Sequence, residues 1–118
     1  MNSVNNLEYY PLTHPQKSIW YIEKMFPNTS ISNVAGTARI KGIVDFDLLD
    51  RAINLFIEKN DALRIRISNK NGEDKQYINV YNYKKIDFFD FSQYDDPDEH
   101  MYKWNEEQTS LPFELYES

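Results

Sequence analysis

The sequence has no cysteine. That excludes a disulfide framework, a cysteine-ligated zinc and a thiol nucleophile, and it fits a cytoplasmic protein. Glycine is scarce, and Gly36, Gly42 and Gly72 stand apart, so there is no glycine cluster to cradle a phosphate. The two histidines, His14 and His100, are widely separated and neither has a metal-ligand spacing such as HExxH. They read as ordinary side chains near helix starts. Basic residues are the minority charge, 13 against 19 acidic, for a net charge of −6. That argues against nucleic acid, whose phosphates need a basic face. Long apolar runs are missing too. The densest stretch, Ile19 to Phe26, is broken by Glu23 and Lys24 and cannot cross a bilayer. The opening "MNSVNNLEYYPL" is polar and has no signal-peptide pattern.

What is present is enough for a folded domain. Hydrophobic residues make up 41% of the 118 and aromatics 15%, and a chain of this size can bury roughly 65% of its unfolded surface. Thr13 and Gln16 have capping-box spacing, and Pro15 suits a first turn. Ile19, Ile22 and Phe26 then recur at helical spacing, which predicts a helix buried on more than one side. "VAGTARIKG" predicts a strand ending at Gly42. Asp45 is an N-cap for a second helix, where Leu49, Ala52, Ile53, Phe56 and Ile57 form the strongest apolar stripe in the chain. "EKNDALRIRI", from Glu58 to Ile67, reads as a strand with Leu63, Ile65 and Ile67 on one face and Arg64 and Arg66 on the other. Asn71-Gly72 predicts a hairpin turn into "KQYINVY". "IDFFDFS" predicts a short edge strand. Asp96, Pro97 and Glu99 predict the start of a third helix with Met101, Trp104 and Gln108 on its inner face. The expected class is α+β, with about three helices and a mixed, mostly antiparallel sheet.

These residues assemble no self-contained active site. The acidic pairs Asp95–Asp96 and Glu106–Glu107 lie where capping or a solvated helix face explains them. Tyr9, Tyr10, Tyr21, Tyr77, Tyr81 and Tyr83 suit packing, each with its hydroxyl satisfied, better than a ligand pocket. Arg64 and Arg66 fit a solvent-facing strand.

In five segments, taken in order, the sequence resembles the condensation domains of nonribosomal peptide synthetases. "YPLTHPQKSIWYIEKMFPNTS" is similar to the family's opening motif, (S/T)xxQ(R/K)xxW, with Thr13, Gln16, Lys17 and Trp20 at its positions. "GIVDFDLLDRAINLFIEKNDALRIRI" resembles the family's second motif, RHExLRT, and the helix before it. Lys59, Asn60 and Asp61 stand in place of Arg-His-Glu, while Leu63 and Arg64 match. "GEDKQYI", "IDFFDFS" and "LPFEL" resemble the later QxI, DLS and PFDL segments. The opening stretch is also similar to starter condensation domains of lipopeptide synthetases, which accept a fatty acyl group. Met1 lying ten residues before Pro11 is consistent with that starter position if Met1 is native, and also with a protein that receives its chain from an upstream synthetase.

The resemblance implies the two-lobed fold of chloramphenicol acetyltransferase, with residues 1–118 forming part of the N-terminal lobe. It implies an enzyme that joins a donor acyl thioester to the amine of a carrier-bound aminoacyl group. Its partners would be acyl and peptidyl carrier domains bearing phosphopantetheine and the rest of the synthetase, with acyl-CoA as an alternative donor. The family's catalytic HHxxxDG follows the segment that "LPFEL" resembles, so the chain is expected to stop before it and to be inactive alone. No catalytic, cofactor-binding or metal residue is expected here. Thr13, Gln16, Trp20, Leu63 and Arg64 are expected to be structural. Arg64 is expected to pair with the Asp of HHxxxDG and, without it, to be solvated or to turn to a nearby carboxylate. An exposed apolar patch and self-association are also expected. The alternative is a stand-alone protein-interaction module that docks a carrier domain or a synthetase subunit.

Overall fold

The computed structural model describes residues 6–117; the opening Met1–Asn5, and with it the starter-position expectation drawn from Met1, and Ser118 lie outside the described residues. A two-residue strand β1 (Tyr10–Pro11) leads into helix α1 (His14–Met25). Thr13 starts the helix with the expected reciprocal cap: its Oγ1 accepts from the Gln16 amide at 3.4 Å, and Gln16 Oε1 accepts from the Thr13 amide at 2.8 Å. β1 was not legible beforehand. Two residues ending in proline carry no alternation, and Pro11 is tolerated because the strand lies on the edge of its sheet.

Helix α2 (Phe46–Lys59) begins at Asp45, whose Oδ1 accepts from the Leu48 amide at 3.0 Å. A 3-10 turn, Asp61–Arg64, follows, so strand β2 is only Ile65–Lys70 and Leu63 and Arg64 precede it. This corrects the reading of Glu58–Ile67 as one strand. Strand β3 (Glu73–Ile78) returns antiparallel to β2, with Lys70 opposite Glu73 and Ile65 opposite Ile78. The two-residue turn has Asn71 at φ 53° and Gly72 at φ 81°, the left-handed pair that a type I′ hairpin demands. β1 pairs with the other edge of β3, giving a three-stranded antiparallel sheet in the order β1-β3-β2. Helix α3 (Pro97–Ser110) opens at Asp96, whose Oδ1 accepts from the Glu99 amide. The class is α+β, as expected.

Two expected strands do not form. Residues 34–42 and 86–92 join no ladder among the described residues. A strand needs a neighbour for its backbone groups, and none is supplied to either segment. Each is held by side chains instead. Thr37 and Arg39 reach Asn105 and Asp98 of α3 at 3.3 and 2.9 Å, while Phe88 packs on Phe46 of α2 and Phe89 on Trp104 of α3.

The apolar faces are only partly covered. Trp20 is buried, but Ile19, Ile22 and Phe26 are exposed, so α1 is covered on one side only. On α2 the buried positions are the polar Asp50 and Asn54, while Leu49, Ile53 and Phe56 face solvent. On α3, Gln108 is exposed, and Met101, Trp104, Asn105 and Thr109 form the partly covered side. Among the described residues Leu12, Trp20 and Tyr77 alone are buried apolar side chains. The accessible surface is 10177 Å², against about 6,700 Å² for a folded monomer of this mass. The radius of gyration is 18.0 Å, against about 13.5 Å for a compact chain of this length.

Candidate functional site

The densest polar constellation lies where α1 crosses the hairpin. Asp74 on β3 is 13% exposed at its side chain. Its Oδ2 accepts from Trp20 Nε1 at 2.7 Å and Lys24 Nζ at 3.0 Å. Its Oδ1 accepts from Asn69 Nδ2 at 2.9 Å and the Tyr116 hydroxyl at 3.0 Å. Burial pushes this carboxyl up, but the bonds from Trp20, Asn69, Lys24 and Tyr116 outweigh it and hold the group well below the usual carboxylate range. Trp20 also meets the Tyr116 ring edge-on at 5.2 Å. One carboxylate thereby joins α1, the hairpin and the C-terminal segment.

A second fastening lies two residues along β3. Gln16 and Gln76 exchange side-chain amide contacts at 2.7 and 3.0 Å, and Gln76 Nε2 also donates to the Pro11 carbonyl at 2.9 Å. The two amides share α1, β1 and β3. Thr13, Gln16 and Trp20 are therefore brought together as a capped helix start bolted to the hairpin. On the opposite face of the sheet, Tyr77 donates to Glu117, packs on Tyr9 at 5.3 Å, and has its hydroxyl pushed up to about 12 by that bond to Glu117 and by burial. The Glu117 amide donates to the Ile67 carbonyl at 3.0 Å, so the C-terminal segment runs along the edge of β2.

Arg64 is not solvated: its side chain is 14% exposed. Its Nε donates to the Asn79 carbonyl at 3.1 Å, Nη1 to the carbonyls of Ile57 at 2.8 Å and Glu58, and Nη2 to Asp61 at 2.6 Å. The side chain thus closes the C-terminal end of α2, where unpaired carbonyls and the helix dipole favour a cation. The nearby carboxylate it uses is Asp61, which stands at one of the departures from the RHExLRT pattern. Of the two outcomes expected for Arg64 in this chain, a solvated side chain and a turn to a nearby carboxylate, the structure shows the second. Leu63 beside it is exposed. Arg66 donates to the Ile65 carbonyl at 3.2 Å and is half-buried, not solvated.

The third cluster organises the segment after β3. Asn54, 4% exposed, donates to the Asp50 and Lys84 carbonyls, both at 3.0 Å, and accepts from the Tyr81 hydroxyl and the Lys84 amide. Asp50 accepts from the Tyr83 hydroxyl and, at 2.8 Å, from the Ile86 amide. Those two bonds hold its carboxyl below the usual range. Tyrosine hydroxyls therefore act here as anchors. Open grooves of about 540 Å³, between Phe46 and Phe88, and about 480 Å³, beside Arg64 and Tyr81, flank this cluster. His14 is exposed at the start of α1, and His100 stacks on Tyr94 at 3.9 Å. Among the described residues no group of three metal-ligating side chains occurs and no helix is long and apolar enough to cross a membrane.

Comparison with known proteins accounts for this scaffold. The family model described as "Condensation domain" matches residues 6–118. Surfactin synthase subunit 1 of Bacillus subtilis (strain 168) is 40% identical over 114 residues, which is 94% of this chain and 3% of that protein. A plipastatin synthase of the same organism is 33% identical over 110 residues, or 92% of this chain and 4% of that protein. Among solved structures, the starter condensation domain of rhizomide synthetase, a mutant in a "product-released" conformation, superposes with a TM-score of 0.79. It shares 19% identity, over 93% of this chain and 25% of its own, and so shows the fold. The chain thus spans a small part of the length of each of these proteins. Matched over all but its first five residues, it belongs to the condensation-domain family.

Proposed function

We propose that the chain is the opening part of a nonribosomal peptide synthetase condensation domain, in the N-terminal lobe and short of the catalytic HHxxxDG. The whole domain joins a donor acyl thioester to the amine of a carrier-bound aminoacyl group: the C–N bond forms, the C–S bond breaks, and the thiol leaves. Residues 1–118 supply the frame for that chemistry. Thr13, Gln16 and Trp20 fix α1 to the hairpin, and Leu63 and Arg64 shape the exit from α2. The match over residues 6–118 carries this reading. The likeness to surfactin and plipastatin synthases favours lipopeptide initiation, with a fatty acyl donor delivered as a thioester of CoA or of carrier-bound phosphopantetheine in the cytoplasm. Carrier domains and the remainder of a synthetase are its partners, and the isolated chain self-associates through its uncovered apolar surface.

The test supplies the purified chain with acyl-CoA, acyl carrier and aminoacyl carrier, and follows amide product by mass spectrometry. No product above background is expected, whereas measurable turnover overturns the claim that the catalytic residues lie elsewhere. The open apolar surface also suits the second reading, a stand-alone docking module. A genomic reading frame continuing past Ser118 into HHxxxDG removes that alternative.

A further inference from the structure

Of the 12 asparagines in the chain, only Asn71 is followed by glycine. The side-chain amide of such an asparagine can be attacked by the backbone nitrogen of the next residue, and glycine has no side chain to hinder the approach. Asn71 and Gly72 form the tip of the β2–β3 hairpin and are both exposed. A Cβ at Gly72 would meet nothing within 4 Å, so water and base reach the pair. The contacts that hold the turn lie within residues 69–74.

In the native turn the reaction is geometrically blocked. Asn71 has φ 53°, and a type I′ turn sets its ψ at about 30°, which points the Gly72 nitrogen away from the Asn71 side chain. A flip of the single peptide between them gives a type II′ turn, with a similar φ at Asn71 and a ψ of about −120°. That conformer also suits a hairpin, and it carries the Gly72 nitrogen round to Asn71 Cγ. One side chain opposes the flip. Asn69 Oδ1 accepts from the Gly72 amide at 3.1 Å, while Asn69 Nδ2 donates to Asp74 Oδ1 at 2.9 Å.

We propose that Asn71 is a latent site of self-modification, latched shut by the side chain of Asn69. When the peptide flips, the Gly72 nitrogen gives its proton to solvent base and bonds to Asn71 Cγ. The Cγ–Nδ2 bond breaks, ammonia leaves with a proton from water, and a succinimide ring remains. Water then opens the ring at either carbonyl, leaving aspartate or isoaspartate. Either product adds a negative charge beside Glu73 and Asp74, and isoaspartate also lengthens the backbone by one carbon. The hairpin is thereby loosened next to the carboxylate that fastens α1. The inference is independent of the amide-forming reading.

The experiment holds the purified chain at mildly alkaline pH and maps its peptide fragments by mass spectrometry, with an isoaspartate-specific methyltransferase to mark the iso form. Modification is expected at Asn71 ahead of every other asparagine. Asn69→Ala removes the latch and should speed it about fivefold, the factor that corresponds to one net hydrogen bond. Asn69→Asp keeps an acceptor for the Gly72 amide but sets two carboxylates opposite each other, at positions 69 and 74. It should hold the native rate even though the strands pair less well. An Asn71 that stays intact in both the native chain and Asn69→Ala overturns the site. An Asn69→Ala rate equal to the native one, or an Asn69→Asp rate as fast as that of Asn69→Ala, overturns the latch.

Discussion

Asp74 gathers a tryptophan 54 residues before it and a tyrosine 42 residues after it onto one carboxylate. Asp74→Ala leaves Trp20 and Tyr116 without their acceptor, and hydrogen bonds to a charged group are among the stronger ones. The variant should lose about 2 kcal/mol of stability in chemical denaturation and release the C-terminal segment to amide exchange at Glu117. The carboxyl is depressed in the folded state, while the unfolded one titrates near about 3.9. Its stabilisation is therefore complete above that ordinary value and is lost as pH falls towards the native one. Thermal stability should decline on acidification below about pH 5, and Asp74→Asn should flatten that decline. Tyr77 acts at the other end. Its hydroxyl is raised to about 12, so its contribution is present below the unfolded value of about 10 and is lost as pH climbs past it. The role of Asp74 was not readable beforehand, because nothing in "GED" marks an acceptor for residues so distant in sequence, whereas Tyr77 was read as a packing residue with its hydroxyl satisfied. Thr13 was readable, since its partner lies three residues away. Thr13→Ala should cost about 1 kcal/mol by the same denaturation measurement.

At the scale of elements, legibility follows the same division between local and distant partners. The three helix starts, at Thr13, Asp45 and Asp96, and the Asn71-Gly72 turn were legible because each is decided within about four residues. The strands expected at 34–42 and 86–92 were not, because a strand depends on a neighbour the sequence window does not contain. The stripe on α2 was read correctly as apolar, yet periodicity cannot say which face is covered. It is the polar edge, Asp50 and Asn54, that meets the chain. Asn54→Ala removes the shared partner of Lys84 and Tyr81 and should cost about 2–3 kcal/mol, visible as a lower midpoint in urea. Gly72→Ala forces a side chain into φ 81° and should cost about 1 kcal/mol, with β2 and β3 losing exchange protection first.

As a whole molecule the chain is a well-fastened frame with open faces. Its caps, hairpin and hydrogen-bonded hubs are complete, while α1, α2 and the segment at 34–42 keep apolar surface uncovered. A frame of this kind suits a domain whose remaining parts supply the cover and the chemistry. The motif residues Thr13, Gln16 and Trp20 fit that division, because each is engaged in holding the frame together. The most direct measurement exchanges the matching segment of surfactin synthase subunit 1 for residues 6–118 of this chain and follows acylated product by mass spectrometry. The account predicts that the chimera folds and forms product, because the frame is shared and the catalytic motif comes from the recipient. A folded, carrier-binding chimera that forms no product would contradict it.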